Sequence, residues 1–346
     1  MADDAVQPVS TVSWGKIALR IVLLLITAIA LYVLWPALAA VFGSFDELQR
    51  IAWWWYIVMA ALEGISFFCL WTLQRIALNA TLFPVATAQL ASNATSRVVP
   101  GGAAAAGAVQ VRMLTEAGFG GASTASALTA TGLLGTGMVA ALPLLAVPFI
   151  LLGMPVPDGL LQSVWIGLGV FVVLFGIGLW LSSTSRPLSL LGGVIDRIRK
   201  PKPGVAPLAT RLVDERDQVL RLLGRKWKQS VGASVGNWMF DYLALLAALT
   251  AVGARPNPAL VLLAYVAAVV LGMIPLTPGG LGFVEAGLSA TLALAGVRPG
   301  DIALSVLSYR LVSFWIPIPS GLAAYIAFRL RYRAQVQPTP PPVEPA

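Results

Sequence analysis

Glu63, Asp241 and Glu285 are carboxylates set in long apolar runs, and Arg97, Arg112 and Arg310 are guanidiniums in similar company. A charge at the centre of a bilayer costs about 2.5–3.5 kcal/mol on the insertion scale. Six of them would cost on the order of 15–20 kcal/mol, which matches or exceeds the net stability of a typical fold. They must therefore be paired, hydrated or close to an interface. Three acids against three arginines allow complete internal pairing. The other chemistry open to them is recognition. Arginine forks clamp phosphate, and a carboxylate can hold an amine, a sugar hydroxyl or a proton. Arg97 and Arg112 have a third option, because long side chains near helix ends snorkel to the interface.

Two breaks stand beside these charges. PLTPGGLGFVEAG, residues 275–287, places Pro275, Pro278, Gly279, Gly280 and Gly282 just ahead of Glu285. Pro100, Gly101 and Gly102 form the counterpart, with Arg97 before them and Arg112 after. Proline cannot donate to the preceding turn and suits the first turn of a new helix. Glycine lets a ligand or another backbone approach. Non-helical chain at membrane depth has to be buried in protein or line a watered cavity. A half-helix opening at such a break presents free N–H groups and the positive end of its dipole, which is an anion site. Two such ends meeting at mid-depth suit a phosphate. Close helix packing through small residues is the alternative, and AAAAGA after Gly102 favours it there. Gln89, Ser92, Asn93, Thr95 and Ser96 make the arm before Pro100 too polar for lipid, so it is expected to line a cavity. Asn237 lies one helical turn before Asp241, on the same face.

The elements that must position these residues are membrane helices. Of 346 residues, 58% are hydrophobic and 11% charged, against about 25% charged in soluble domains. One cysteine, Cys69, and no histidine exclude an internal disulfide, His-ligated metals and imidazole catalysis. No cofactor is implied. The net charge of +8 is concentrated in residues 182–229, with eleven Lys/Arg against four acids. That pattern fits a cytoplasmic loop facing anionic headgroups, not a nucleic-acid surface. Runs near the roughly 20 residues needed to cross a bilayer are Ile17–Phe42, Ile51–Leu73, Ser123–Leu152, Leu160–Leu181, Ser230–Val252 and Ile302–Phe328. The first is long for a signal-peptide core, though Lys16 and Arg20 precede it.

The regions 82–114 and 259–294, each broken by Pro-Gly-Gly, read as re-entrant hairpins. The fold expected is an all-α polytopic membrane protein of six full spans and two re-entrant hairpins. Residues 1–16 and the Pro-rich tail 329–346 would be cytoplasmic, with membrane halves at 17–181 and 230–328. Arg75, Arg112, the basic loop and Arg329, Arg331 and Arg333 then fall inside, and Arg50, Arg255 and Arg298 outside, as orientation requires. A single crossing by each broken region is the competing topology.

The halves repeat. Pro100 and Pro278, Gly118 and Gly296, and Glu63 and Asp241 are each 178 residues apart. In the expected topology the first unit, about 51–152, starts outside and the second inside. Inverted repeats of this kind build many secondary transporters, with the site at the repeat interface.

TPGGLGFVEAG followed by YRLVSFW resembles the lysylphosphatidylglycerol synthase transmembrane-region family, flippase-like proteins that include the membrane half of the multiple peptide resistance factor. The likeness runs from about Trp14 to Arg331. VPGGAAAAGAVQVRML is similar to the family's first Pro-Gly segment, but Ala108 stands where many members carry an acid. The resemblance implies movement of lipid, often aminoacylated or glycosylated, between leaflets of the plasma membrane. It implies motif positions at Pro278, Gly279, Gly280, Gly282, Glu285 and Arg310. Phospholipid or lipid-linked sugar is then the expected partner, with any lipid-modifying enzyme on a separate chain. The chain reads as a transporter and not an enzyme. A scaffold presenting lipid to such an enzyme and a lipid glycosyl or acyl transferase are the alternatives.

Overall fold

The computed structural model describes residues 48–49, 51–99, 102–146, 208–272 and 280–332, with scattered positions between 148 and 189. The expected span Ile17–Phe42 and most of Leu160–Leu181 lie outside the described residues, as do Pro100, Gly101, Pro278 and Gly279. What is described is helical, without a strand. Trp53–Leu78 (α1), Gly121–Leu145 and Pro299–Tyr332 are long and apolar enough to cross a membrane. They coincide with three of the expected spans.

In α1 the usual soluble pattern is inverted. Glu63, Ser66 and Gln74 are buried, while Ile57, Ile65 and Phe68 face outward. Such a helix keeps its polar groups within the protein and gives its apolar surface to lipid. Trp53 and Trp54 are exposed at its start, where an interfacial belt belongs.

Each broken region folds as a helical hairpin. Leu82–Val98 (α2) packs along Gly102–Glu116 (α3), and the Ser92 hydroxyl donates to the Ala106 carbonyl at 2.9 Å. Gly121–Ala141 (α4) follows. Leu208–Arg225 (α5) gives the second half of the basic region a helix that leads into Trp227–Ala251 (α6). Pro258–Gly272 (α7) packs along Phe283–Leu294 (α8), with the Thr291 hydroxyl donating to the Ala264 carbonyl at 3.2 Å. The described arms of 12 to 17 residues rise about 18–26 Å.

The repeat extends to individual hydrogen bonds. The helix α3 closes with Ala117, Gly118 and Phe119 donating to Met113, Thr115 and Leu114, and α8 closes with Ala295, Gly296 and Val297 donating to Thr291, Ala293 and Leu292. Gly118 (φ 98°) and Gly296 (φ 83°) both take the left-handed conformation that ends a helix. Glu63 on α1 and Asp241 on α6, equivalent by the same offset, are in contact. Contact between equivalent residues is what a pseudo-two-fold axis through the α1–α6 seam produces. One turn along that seam, Asn237 Nδ2 donates to the Ser66 carbonyl at 3.1 Å and the Ser66 hydroxyl to the Asn237 carbonyl at 2.7 Å.

The last span is Pro299–Arg310 (α9), a π-helical turn at Leu311–Trp315, and Pro317–Tyr332 (α10). Pro317 lacks an N–H and its ring crowds the turn before it. The chain accommodates this by widening there, with Ile316 donating to Leu311 at 3.2 Å. The helix α10 lies close on α2, so that a Cβ on Gly321 would meet the Leu90 carbonyl oxygen at 2.4 Å and Ala94 Cβ at 2.5 Å. Gly321→Ala is expected to destabilise the detergent-solubilised protein by about 1–3 kcal/mol through overpacking. Thermal unfolding checks this against Gly300→Ala, where nothing stands within 4 Å of the added carbon.

Candidate functional site

Six helices and the π turn bring polar side chains together where the two repeats meet. Glu63 lies about 15 Å along α1, and Asp241 about 15 Å from the end of α6. Asp241 accepts two tyrosine hydroxyls, from Tyr265 on α7 at 2.5 Å and from Tyr309 on α9 at 2.8 Å. Tyr265 and Tyr309 are buried, so neither hydroxyl is left to water. Also in contact with Asp241 is the Glu63 carboxyl, 7% exposed. Glu63 Oε1 has no hydrogen-bond partner among the described residues.

Arg310 follows Tyr309 directly and turns toward the second hairpin. Its Nε donates to Glu285 Oε1 at 2.6 Å, and the two side chains are 12% and 29% exposed. Glu285 stands in the first turn of α8, where the unpaired N–H groups and dipole favour a carboxylate. Gly280 (φ 72°) and Gly282 (φ 77°) turn the chain into that helix in a conformation other residues adopt only under strain. Glu285 Oε2 is buried without a hydrogen-bond partner among the described residues.

From the first hairpin comes Arg97. Its Nε donates to Asn93 Oδ1 at 2.7 Å, one turn back on α2. Its guanidinium carbon lies 4.9 Å from the centre of the Phe314 ring, and that of Arg310 lies 4.5 Å from the same centre. A buried aromatic ring on the π turn thus gathers one arginine from α2 and one from α9. Cation–π attraction holds each of them there, partly offsetting the repulsion between two like charges.

Of the residues expected to form a site, Glu63, Asp241, Glu285 and Arg310 converge, and Gly280 and Gly282 shape the approach. Gly102 lies at the first hairpin tip, where a Cβ would stand 2.4 Å from the Ser96 carbonyl oxygen. Arg112 lies elsewhere. Its side chain is 77% exposed and pairs with Glu116 at 2.9 Å, in a surface group with Arg329. The polar residues of α2 hydrogen-bond within the protein. Gln89 accepts from Trp71 Nε1 at 3.1 Å, and Thr95 and Ser96 bond to backbone carbonyls of their own helix.

The pattern defining the lysylphosphatidylglycerol synthase TM region matches residues 17–321. The chain belongs to that family. It is an integral, multi-pass membrane protein with a lipid-related setting. Two UPF0104 membrane proteins of Methanothermobacter thermautotrophicus are also similar. One is 33% identical over 87 residues, covering 25% of this chain and 26% of its own. The other is 28% identical over 95 residues, covering 28% and 27%. The matched segments span about a quarter of either relative's length. Within this family member, Phe314, Tyr265 and Tyr309 are the site residues that motif reading passed over, and Arg97, open between phosphate clamp and interface, joins them. The available signals were a hydroxyl in each of two apolar helices and a phenylalanine one turn beyond Arg310.

Proposed function

We propose that the protein moves a phosphate-bearing lipid between leaflets, with the headgroup phosphate bound between Arg97 and Arg310. The observation that carries this reading is the pair of guanidiniums gathered on Phe314 from opposite repeats. Guanidinium donors form a fork that fits the oxygens of a phosphate, the anion that phospholipid headgroups carry. Glu285 pairs with Arg310, and an arriving phosphate competes with it for the same donors. A displaced Glu285 can then take an amine or a sugar hydroxyl of the headgroup, which fits an aminoacylated or glycosylated lipid.

The site lies between the α2–α3 hairpin and the α7–α8 hairpin, beside the pseudo-two-fold seam. A re-entrant placement of both hairpins would put their tips near mid-depth and let the halves rock about the site. Six full spans, cytoplasmic termini and a plasma-membrane location complete this reading. The purified protein in vesicles of phosphatidylcholine and phosphatidylglycerol is expected to equilibrate fluorescent short-chain phosphatidylglycerol between leaflets, followed by albumin back-extraction. Arg97→Ala is expected to slow exchange at least about tenfold, the equivalent of one lost charge-assisted contact of about 1.4 kcal/mol or more. Wild-type protein that leaves the leaflet distribution at the rate of empty vesicles defeats the transport reading and leaves the lipid-presenting scaffold.

A further inference from the structure

The proposed phosphate site does not use the deepest polar pair. Glu63 and Asp241 are carboxyl groups in contact, on helices related by the repeat. Two carboxylates cannot both stay ionised while in contact within a low-dielectric interior, so a proton is held between them as long as the contact lasts and is released when it opens. Hydrogen bonds to an ionised carboxylate stabilise it, and Asp241 accepts two of them from Tyr265 and Tyr309. That places the shared proton on Glu63. Glu63 Oε1 is buried with no hydrogen-bond partner among the described residues.

The neighbouring charges connect this pair to the phosphate site. On α9, Tyr309 donates to Asp241 and the next residue, Arg310, donates to Glu285. Arg97 on α2 interacts electrostatically with Glu63, Asp241 and Arg310. Among the described residues, the titratable and charged groups around the pair are therefore Tyr265, Tyr309, Arg310 and Arg97, with Glu285 beyond Arg310. Two arginines are balanced by Glu285 and Asp241 when Glu63 carries a proton. A lipid phosphate arriving at the arginines adds negative charge beside the pair and makes its protonated form more favourable. Linkage makes the effect reciprocal.

We propose that Glu63 and Asp241 form a proton site on the axis between the repeats, loaded and emptied together with lipid phosphate at Arg97 and Arg310. This rests on the transport reading above. The proton comes from water on one side, adds to the Glu63 carboxylate and leaves to water on the other, so each lipid anion travels with one proton.

The test is the same vesicle assay under an imposed pH gradient of one unit. One proton per lipid converts that gradient into a leaflet ratio of about ten, which inverts when the gradient is reversed. Glu63→Gln, which cannot gain or lose that proton, is expected to settle at an even distribution under either gradient, whatever its rate of exchange. Asp241→Asn serves in its place should Glu63→Gln fail to fold. An even distribution for wild-type protein that does exchange lipid overturns the proposal, as does a ratio that persists in the variant. If wild-type protein exchanges no lipid, the transport reading has failed separately. Infrared spectroscopy of the membrane-embedded protein then decides the proton site alone. A protonated-carboxyl carbonyl band that Glu63→Gln removes sustains it, and its absence from the wild type overturns it.

Discussion

Arg310→Ala is expected to destabilise the protein by about 3 kcal/mol and abolish lipid exchange, while Glu285→Gln combined with Arg310→Gln restores stability without restoring exchange. Removing one member of a buried ion pair leaves the other charge uncompensated, and measured losses run about 3–5 kcal/mol. The lower end applies, because the Glu285 side chain keeps 29% of its exposure. The single variant also strips a cation from the Phe314 ring. Neutralising both partners removes the desolvation penalty along with the attraction, so most of the stability returns. If the pair only ties α8 to α9, the double variant should transport like wild type. If Arg310 binds the lipid phosphate, it should fold and remain inactive. Thermal unfolding in detergent and leaflet exchange in vesicles together separate the two roles.

Much of this arrangement can be read from residue types and spacing. Apolar length locates α1, α4 and the last span. The 178-residue offset identifies the repeat, because the same loss of helix at Gly118 and Gly296 needs the same residue at both places. The cost of lone charges in hydrocarbon makes partners obligatory for Glu63, Asp241, Glu285 and Arg310. Which partner each group takes is not readable, since it depends on how helices distant in sequence cross. Glu63 with Asp241 and Arg310 with Glu285 are joined across 178 and 25 residues. Arg97 and Arg112 show the limit most clearly. Both stand on the same hairpin, yet the π turn carries Phe314 under Arg97, and nothing comparable among the described residues reaches Arg112. A wound-out turn forced by Pro317 has a sequence cause, but its effect on a side chain from α2 is visible only in three dimensions. The tyrosines were hidden for another reason. A hydroxyl on an apolar helix reads as packing until an acceptor is placed against it.

Gly102 and Gly107 provide a contrast within a single helix. Both are glycines in the small-residue stretch of α3, and composition alone assigns them the same role. A carbon added at Gly102 would lie 2.4 Å from the Ser96 carbonyl oxygen and 2.7 Å from its Cα, both backbone atoms that cannot swing aside. One added at Gly107 meets nothing within 4 Å. Gly102→Ala is therefore expected to force the hairpin arms apart, costing about 1–3 kcal/mol. Gly107→Ala should stabilise the helix by up to about 1 kcal/mol, because alanine restricts the unfolded chain more than glycine. The functional difference should be larger still. Ser96 precedes Arg97, so moving its backbone by the ångström needed to admit a methyl group withdraws the guanidinium from Phe314. Misplacement on that scale can reduce a positioned interaction about a hundredfold. Lipid exchange should fall by about that factor in Gly102→Ala and stay near wild type in Gly107→Ala. Equal exchange by the two variants would mean that the hairpin tip does not position Arg97, and the phosphate would have to be held by Arg310 with groups other than the first repeat's arginine.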